Sequence, residues 1–126
     1  MTAQGLTFDT GVLIALERRA HRAWTVYRQA RNDKVRVTVP SVVIGEWWRG
    51  RSDHREHVRS GLIVEPVSEA LARRAGEALA EIPGATLVDA IVMASAASRG
   101  DVVYTSDHDD LARLTAFFRT VRVLAL

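Results

Sequence analysis

The sequence predicts an α/β fold, a three-layer α/β/α sandwich with a mainly parallel central sheet. Short strand-like runs alternate with helical periodicities along the whole chain, the pattern of strands joined by crossover helices. No internal repeat, linker or low-complexity stretch interrupts that alternation, so one domain is expected over residues 1–126. With 126 residues, 48% of them hydrophobic, the chain can bury roughly two-thirds of its unfolded surface in a core.

Leu6 to Asp9 is an apolar run that ends in an acid, and Thr10 can cap a helix carrying Val12, Leu13 and Leu16. A second helical pattern through Trp24, Tyr27 and Arg28 breaks at Asn32 and Asp33, before the β-branched strand Val35 to Val39. Pro40 suits the start of a helix holding Val42, Val43, Glu46, Trp47 and Arg49, with Gly50 as its stop. Arg51 to Ser60 reads as a short polar helix plus loop. Leu62 to Val67 reads as a strand, with Pro66 suggesting an edge position.

Ser68 caps a helix through Leu71, Ala75, Ala78 and Leu79 that ends before Pro83-Gly84. Thr86 to Ser98 is apolar all round apart from Asp89 and is expected to be the most buried helix. Val102 to Tyr104 then reads as a strand, Asp107 to Phe118 as a helix and Val121 to Leu124 as a last strand.

Composition narrows the chemistry. Cysteine is absent, which excludes disulfide frameworks, thiolate zinc sites and thiol nucleophiles. Met1 to Asp9 has neither a basic n-region nor an apolar h-region, so no secretory signal is expected. Apolar runs reach about five residues, as at Val12 to Leu16, against the roughly 20 of a membrane span, and a cytoplasmic location is expected. Of the 17 basic residues only Lys34 is Lys, a bias toward guanidinium forks that suit phosphate or carboxylate. Abundant Ala alongside Arg makes compositional bias an equally good account.

Four acids interrupt that pattern: Asp9 and Asp107 at strand ends, Glu46 on a helix, and Asp89 amid Leu87, Val88, Ala90, Ile91, Val92 and Met93. Four carboxylates converging at about 6 Å in an effective dielectric near 20 would repel by about 3 kcal/mol per pair, roughly 15 kcal/mol in all. That rivals a domain's whole stability. Such a cluster takes up protons or holds a hard divalent ion, Mg²⁺ or Mn²⁺, the apparatus of phosphodiester hydrolysis. Each acid also has a structural account. Thr86 with Asp89, and Ser106 with Asp109, have capping-box spacing, Asp109 and Asp110 suit a helix N-terminus, Asp9 suits a cap or turn, and Glu46 suits a solvated helix face.

Four segments together, FDTGVLIAL, VPSVVIGEWWRG, LVDAIVMASAASRG and VVYTSDHDDL, resemble in order the acid-bearing segments of PIN-domain ribonucleases, most closely the VapC-type toxins of toxin–antitoxin pairs. The resemblance covers essentially the full length. It implies an Mg²⁺- or Mn²⁺-dependent endoribonuclease, a homodimer and inhibition by a small cognate antitoxin. It carries Asp9, Glu46, Asp89 and Asp107 over as the acidic quartet and metal ligands. Asp110 matches an often acidic position nearby, and Thr105 and Ser106 fall in the TxD segment, where a hydroxyl can orient an acid or a water.

On that reading, water attacks the scissile phosphate and leaves a 5′-phosphate and a 3′-hydroxyl. Arg49 and Arg51 are candidates to hold flanking phosphates, with plain surface charge as their other reading. The paired Trp47 and Trp48 are bulkier than the family pattern suggests and fit core, interface or base-stacking roles. An antitoxin would cover an apolar groove near Trp24 and Tyr27. His54 and His57 lie one helical turn apart in the most polar stretch and read as solvated surface or a weak chelate, and His108 reads as a loop residue beside Asp107.

Two alternatives stay open at this point. Asp9-Thr10-Gly11 is the DTG triplet of aspartic proteases, which would require a β-rich fold. A non-catalytic PIN-like binding module, its acids merely capping helices, is the other.

Overall fold

The computed structural model describes residues 4–126. Residues 1–3, part of the expected single domain and of the segment read for a signal, lie outside the described residues. Among the described residues, β1 (Leu6–Phe8), β2 (Val37–Pro40), β3 (Ile63–Glu65), β4 (Val102–Thr105) and β5 (Val123–Ala125) form one sheet in the order β3-β2-β1-β4-β5. Every pairing is parallel. The helices are α1 (Thr10–Glu17), α2 (His21–Asn32), α3 (Ser41–Trp47), α4 (Asp53–Ser60), α5 (Glu69–Glu81), α6 (Leu87–Arg99) and α7 (His108–Ala112), the last running into a 3₁₀ turn at Arg113–Ala116.

This strand order is that of a doubly wound sheet. The chain builds outward from β1 to β3, then returns to lay β4 and β5 on the other side of β1. Right-handed crossovers in opposite directions place α1 to α4 on one face and α5 to α7 on the other. The packing agrees: α1 lies against α2, α3 and α4, while α6 lies against α5 and α7. The fold is therefore the PIN-like α/β/α sandwich expected, with an all-parallel sheet. Its switch point, where ligands gather in such sheets, falls between β1 and β4.

The core follows the apolar pattern. β2 is buried along its whole length, and α6 is buried without a break from Ala90 to Ala96, as its all-round apolar sequence requires. Thr86 caps α6 by accepting from the Asp89 amide at 3.2 Å, and Gly100, at φ 74°, closes it in the left-handed conformation. Trp47 is buried and belongs to the core, and Trp48 packs edge-on against it. No helix among the described residues is long and apolar enough to cross a membrane.

A second polar cluster sits inside this frame. The Arg99 guanidinium donates to Asp101 and Glu65, each at 2.9 Å, and to the Thr7 and Ser95 hydroxyls, also at 2.9 Å. Asp101 is only 3% exposed, and that guanidinium is its compensating charge. Gly5 leaves room for it: a Cβ there would stand 2.6 Å from Asp101 Oδ1.

Four local expectations are corrected. Asp9, not Thr10, caps α1, because its carboxylate accepts from the Val12 amide at 3.0 Å and leaves Thr10 as the first helical residue. α3 stops at Trp47, so Arg49 lies beyond the helix, ahead of the φ 112° turn at Gly50. The helix expected from Asp107 to Phe118 splits into α7 and a 3₁₀ turn. Asp107 occupies the N-cap position of α7, so the Ser106–Asp109 capping box does not form. The DTG reading also falls, since Thr10 and Gly11 open a helix on an all-parallel sheet, not a β-rich protease lobe.

Candidate active site

β1 and β4 are neighbours, with Phe8 beside Tyr104, so the residues that follow each strand emerge together at the switch point. The Asp9 amide donates to the Tyr104 carbonyl at 3.4 Å. The Thr105 hydroxyl donates to the Asp9 carboxylate and accepts from the Asp107 amide at 2.8 Å. One hydroxyl thus ties the first acid to the turn that carries the fourth. Gly11 permits this closeness, because a Cβ on it would lie 1.8 Å from Ser106 Oγ and 3.5 Å from Asp9 Oδ1.

The other two acids come from helices. α3 lies against both α1 and α6. There the Thr10 hydroxyl donates to Glu46 at 2.6 Å, holding an exposed carboxylate one residue from Asp9. Asp89 projects from the first turn of α6, half-buried, so its capping geometry and its place near the acids coexist.

The charges register this convergence. Burial pushes the Asp9 carboxyl above its ordinary range, Thr105 and the Val12 amide oppose that, and Asp89 adds to it. Asp89 is raised by burial and then by Asp110, Asp107 and Glu46, against a lowering hydrogen bond from Thr86. Asp107 is raised chiefly by its hydrogen-bonding approach to Asp110. Asp110 is lowered by the same contact and by Arg113, whose guanidinium it meets at 2.8 Å.

Arg113 escaped the sequence reading, although its i,i+3 spacing from Asp110 was a legible signal. Its guanidinium pairs with Asp110 beside the quartet, and it also lies against the turn at Gly84. Among the described residues Arg49 and Arg51 form no hydrogen bond or ion pair with the quartet: Arg49 donates to the Trp48 carbonyl at 3.2 Å, and Arg51 faces Asp53 at 3.4 Å. His108 is exposed at the start of α7, 3.7 Å from Asp109.

Residues 6–116, the span containing all four acids, match the sequence model of the PIN domain. The chain belongs to the PIN domain family. PIN domains are generally nucleases that depend on a divalent metal. Solved structures give the same fold. This PIN domain is similar to a chain in the crystal structure of VapBC2 from Rickettsia felis bound to a DNA fragment from their promoter, with TM-score 0.74, 11% identity, and 96% and 98% of the two chains covered. It is similar to a chain of DNA-bound VapBC from Salmonella typhimurium, with TM-score 0.73, 18% identity, and 98% of each chain covered. PAE2754 from Pyrobaculum aerophilum gives TM-score 0.58 and 24% identity over 97% and 92%. No curated protein matches the chain in sequence.

Set against the metal that PIN domains generally require, the donor set fits in kind. Its donors are carboxylate and hydroxyl oxygens, and three of the carboxylates are raised in pKa, each in part by a neighbouring carboxylate, the electrostatic condition that a hard divalent cation relieves. The side chains are close enough to repel. Even so, no group of three or more His, Asp or Glu among the described residues stands arranged to hold an ion as it is.

The surface expected to receive an antitoxin also needs correction. Tyr27 is fully buried, its hydroxyl donating to the Val58 carbonyl at 2.6 Å, and cannot line a groove. Trp24 is half-buried amid Arg and His side chains, not in an apolar cleft.

Proposed function

We propose that this PIN domain is a VapC-type toxin, an Mg²⁺- or Mn²⁺-dependent endoribonuclease held in check by a cognate antitoxin and acting in the cytoplasm as a homodimer. The observation that carries the reading is the Thr105 bridge between Asp9 and the Asp107 turn at the sheet's switch point, with Asp89 and Glu46 brought alongside. The VapBC structures named above supply the likeness to a toxin–antitoxin pair, and the resemblance of the four acidic segments supplies the RNA substrate and the dimer.

Asp9, Asp89 and Asp107 would hold the metal, with Glu46 completing the set and Asp110 flanking it. When bound, a divalent ion neutralises phosphate charge and acidifies water. The chain's own groups do the rest. Thr105 keeps the Asp9 carboxylate oriented and ionisable against its burial. Glu46, exposed and tethered by Thr10, would accept the proton of an attacking water. Ser106, packed against Gly11, fixes the turn that presents Asp107. The water oxygen bonds to phosphorus, the bond to O3′ breaks with its electron pair on oxygen, that oxygen takes a proton from solvent, and the products are a 5′-phosphate and a 3′-hydroxyl. Arg49 and Arg51 remain candidates for flanking phosphates.

The test is incubation of purified protein with unstructured RNA in Mg²⁺, in chelator, and with Asp9→Asn. Cleavage in Mg²⁺ alone, with phosphate on the new 5′ ends, is expected. Undiminished cleavage in chelator or by Asp9→Asn would overturn the mechanism.

A further inference from the structure

Apart from the acids, the end of α1, the start of α2 and α4 enclose a pocket of about 350 Å³ lined by Arg19, His21, Trp24, Arg28, His54 and His57. None of the six is acidic, and none belongs to the quartet. The size lies within the range of small-ligand sites. Two guanidiniums and three imidazoles around one indole form a lining built for an anion beside a flat ring.

The aromatic part is organised in advance. The His57 ring stacks on Trp24, with centroids 6.0 Å apart and 18° between planes, and the Arg28 guanidinium lies 5.5 Å from the indole centroid. Trp24 Nε1 donates to the Leu16 carbonyl at 3.0 Å, and His54 Nε2 reaches the same oxygen at 3.1 Å. A carbonyl can only accept, so His54 Nε2 carries a hydrogen and the ring's orientation is set. Arg19 adopts φ 60°, a conformation uncommon outside glycine, and its amide also donates to the Leu16 carbonyl, at 3.1 Å. One oxygen at the end of α1 therefore anchors three of the six lining residues. Immobilised rings lower the ordering needed to bind.

We infer that this pocket binds a nucleotide unit of single-stranded RNA, with phosphate at Arg19 and Arg28 and the base stacked against the Trp24–His57 pair, as a second contact outside the acidic site. This inference rests on the nuclease reading for its ligand. An acidic peptide would use the guanidiniums but would leave the stacked rings without a role, whereas every nucleobase offers a π-face to them.

The test measures anisotropy of a fluorescent, unstructured oligo(A) RNA on the Asp9→Asn protein, so that the RNA stays whole. Arg28→Ala and His57→Ala are then added singly, both at exposed positions that leave the core intact. Each is expected to weaken binding on the order of tenfold, and Arg28→Ala to reduce the slope of log affinity against log salt by about 0.7. Unchanged affinity and slope in both variants would overturn the inference, as would loss of binding to a polyglutamate peptide with RNA binding intact. Cleavage of the same RNA by the parent in Mg²⁺ is scored separately. Cleavage with binding that ignores the pocket sinks this inference alone, and pocket-dependent binding without cleavage sinks the nuclease reading alone.

Discussion

Thr105 and Asp9 are 96 residues apart in sequence, yet the Thr105 hydroxyl donates to the Asp9 carboxylate inside the protein. Both groups are nearly or fully buried, and the same hydroxyl accepts from the Asp107 amide. Its single proton can therefore point only at Asp9 while its lone pairs receive Asp107. This favours an ionised Asp9 in a place where burial favours a neutral one.

Thr105→Val keeps the shape and removes the hydroxyl. Mn²⁺ affinity measured by calorimetry, and RNA cleavage, are expected to fall about 10- to 100-fold, the usual effect of removing a group that orients a ligand. Stability in urea is expected to drop by about 1–3 kcal/mol, because Asp9 loses a buried partner. Thr105→Ser should restore both, and a silent Thr105→Val would remove the bridge from the mechanism.

Asp89→Asn separates repulsion from packing. Burial and the facing carboxylates raise the folded-state pKa of Asp89 above 3.8, so the folded protein binds its proton more tightly than the unfolded chain does. The stability that Asp89 contributes in chelator therefore declines as pH rises from 3.8 through the raised value and is absent above it. The asparagine variant lacks that decline. Its Tm is expected to exceed the parent's by a few degrees at pH 7 and to equal it near pH 3, while cleavage falls at least about 100-fold. A variant less stable than the parent at pH 7 would contradict the account.

Gly11→Ala tests the close approach of α1 to the Ser106 turn. The added methyl meets Ser106 Oγ at 1.8 Å and Ser106 Cβ at 3.0 Å, so the hydroxyl must swing aside and the turn behind it must give by a few tenths of an ångström. A loss of about 1–3 kcal/mol in chemical denaturation is expected, together with loss of cleavage as Asp107 shifts. Adding Ser106→Gly should recover most of the stability, and failure to do so would place the strain elsewhere.

Arg99→Ala probes the polar cluster around Thr7, Asp101 and Glu65. Removing the guanidinium leaves Asp101 charged, buried and without its cation, an expected loss of about 3–5 kcal/mol by urea titration. Since none of these groups contacts the quartet, cleavage per folded molecule should persist below the variant's Tm. Specific loss of activity in fully folded Arg99→Ala would mean the two clusters are coupled.

Much of this was legible because it is local. Asp89 stood out by interrupting an apolar helix, and Asp9 and Asp107 by ending strands. Their capping spacings were legible too, and the caps at Asp9 and at Asp89 with Thr86 form without taking either acid away from its charged neighbours. The Arg99–Asp101 cluster was not legible, since it joins β1, β3, α6 and the start of β4, and nothing in the neighbourhood of Asp101 marks it as buried. Tyr27 and Trp24, three residues apart on one helix, read alike as groove candidates. Only packing separates a ring whose hydroxyl finds the Val58 carbonyl from one left at the surface among cations.

The alternation of strands and helices, the four acids and the order in which they appear could all be read along the chain, because periodicity and punctuation are set by neighbours within a turn or two. It took the folded protein to bring β1 and β4 side by side, to turn the Thr105 hydroxyl onto Asp9, and to pair Arg113, not Arg49 or Arg51, with an acid beside the quartet. Those facts depend on which distant surfaces bury one another, and no local pattern of residues encodes that choice.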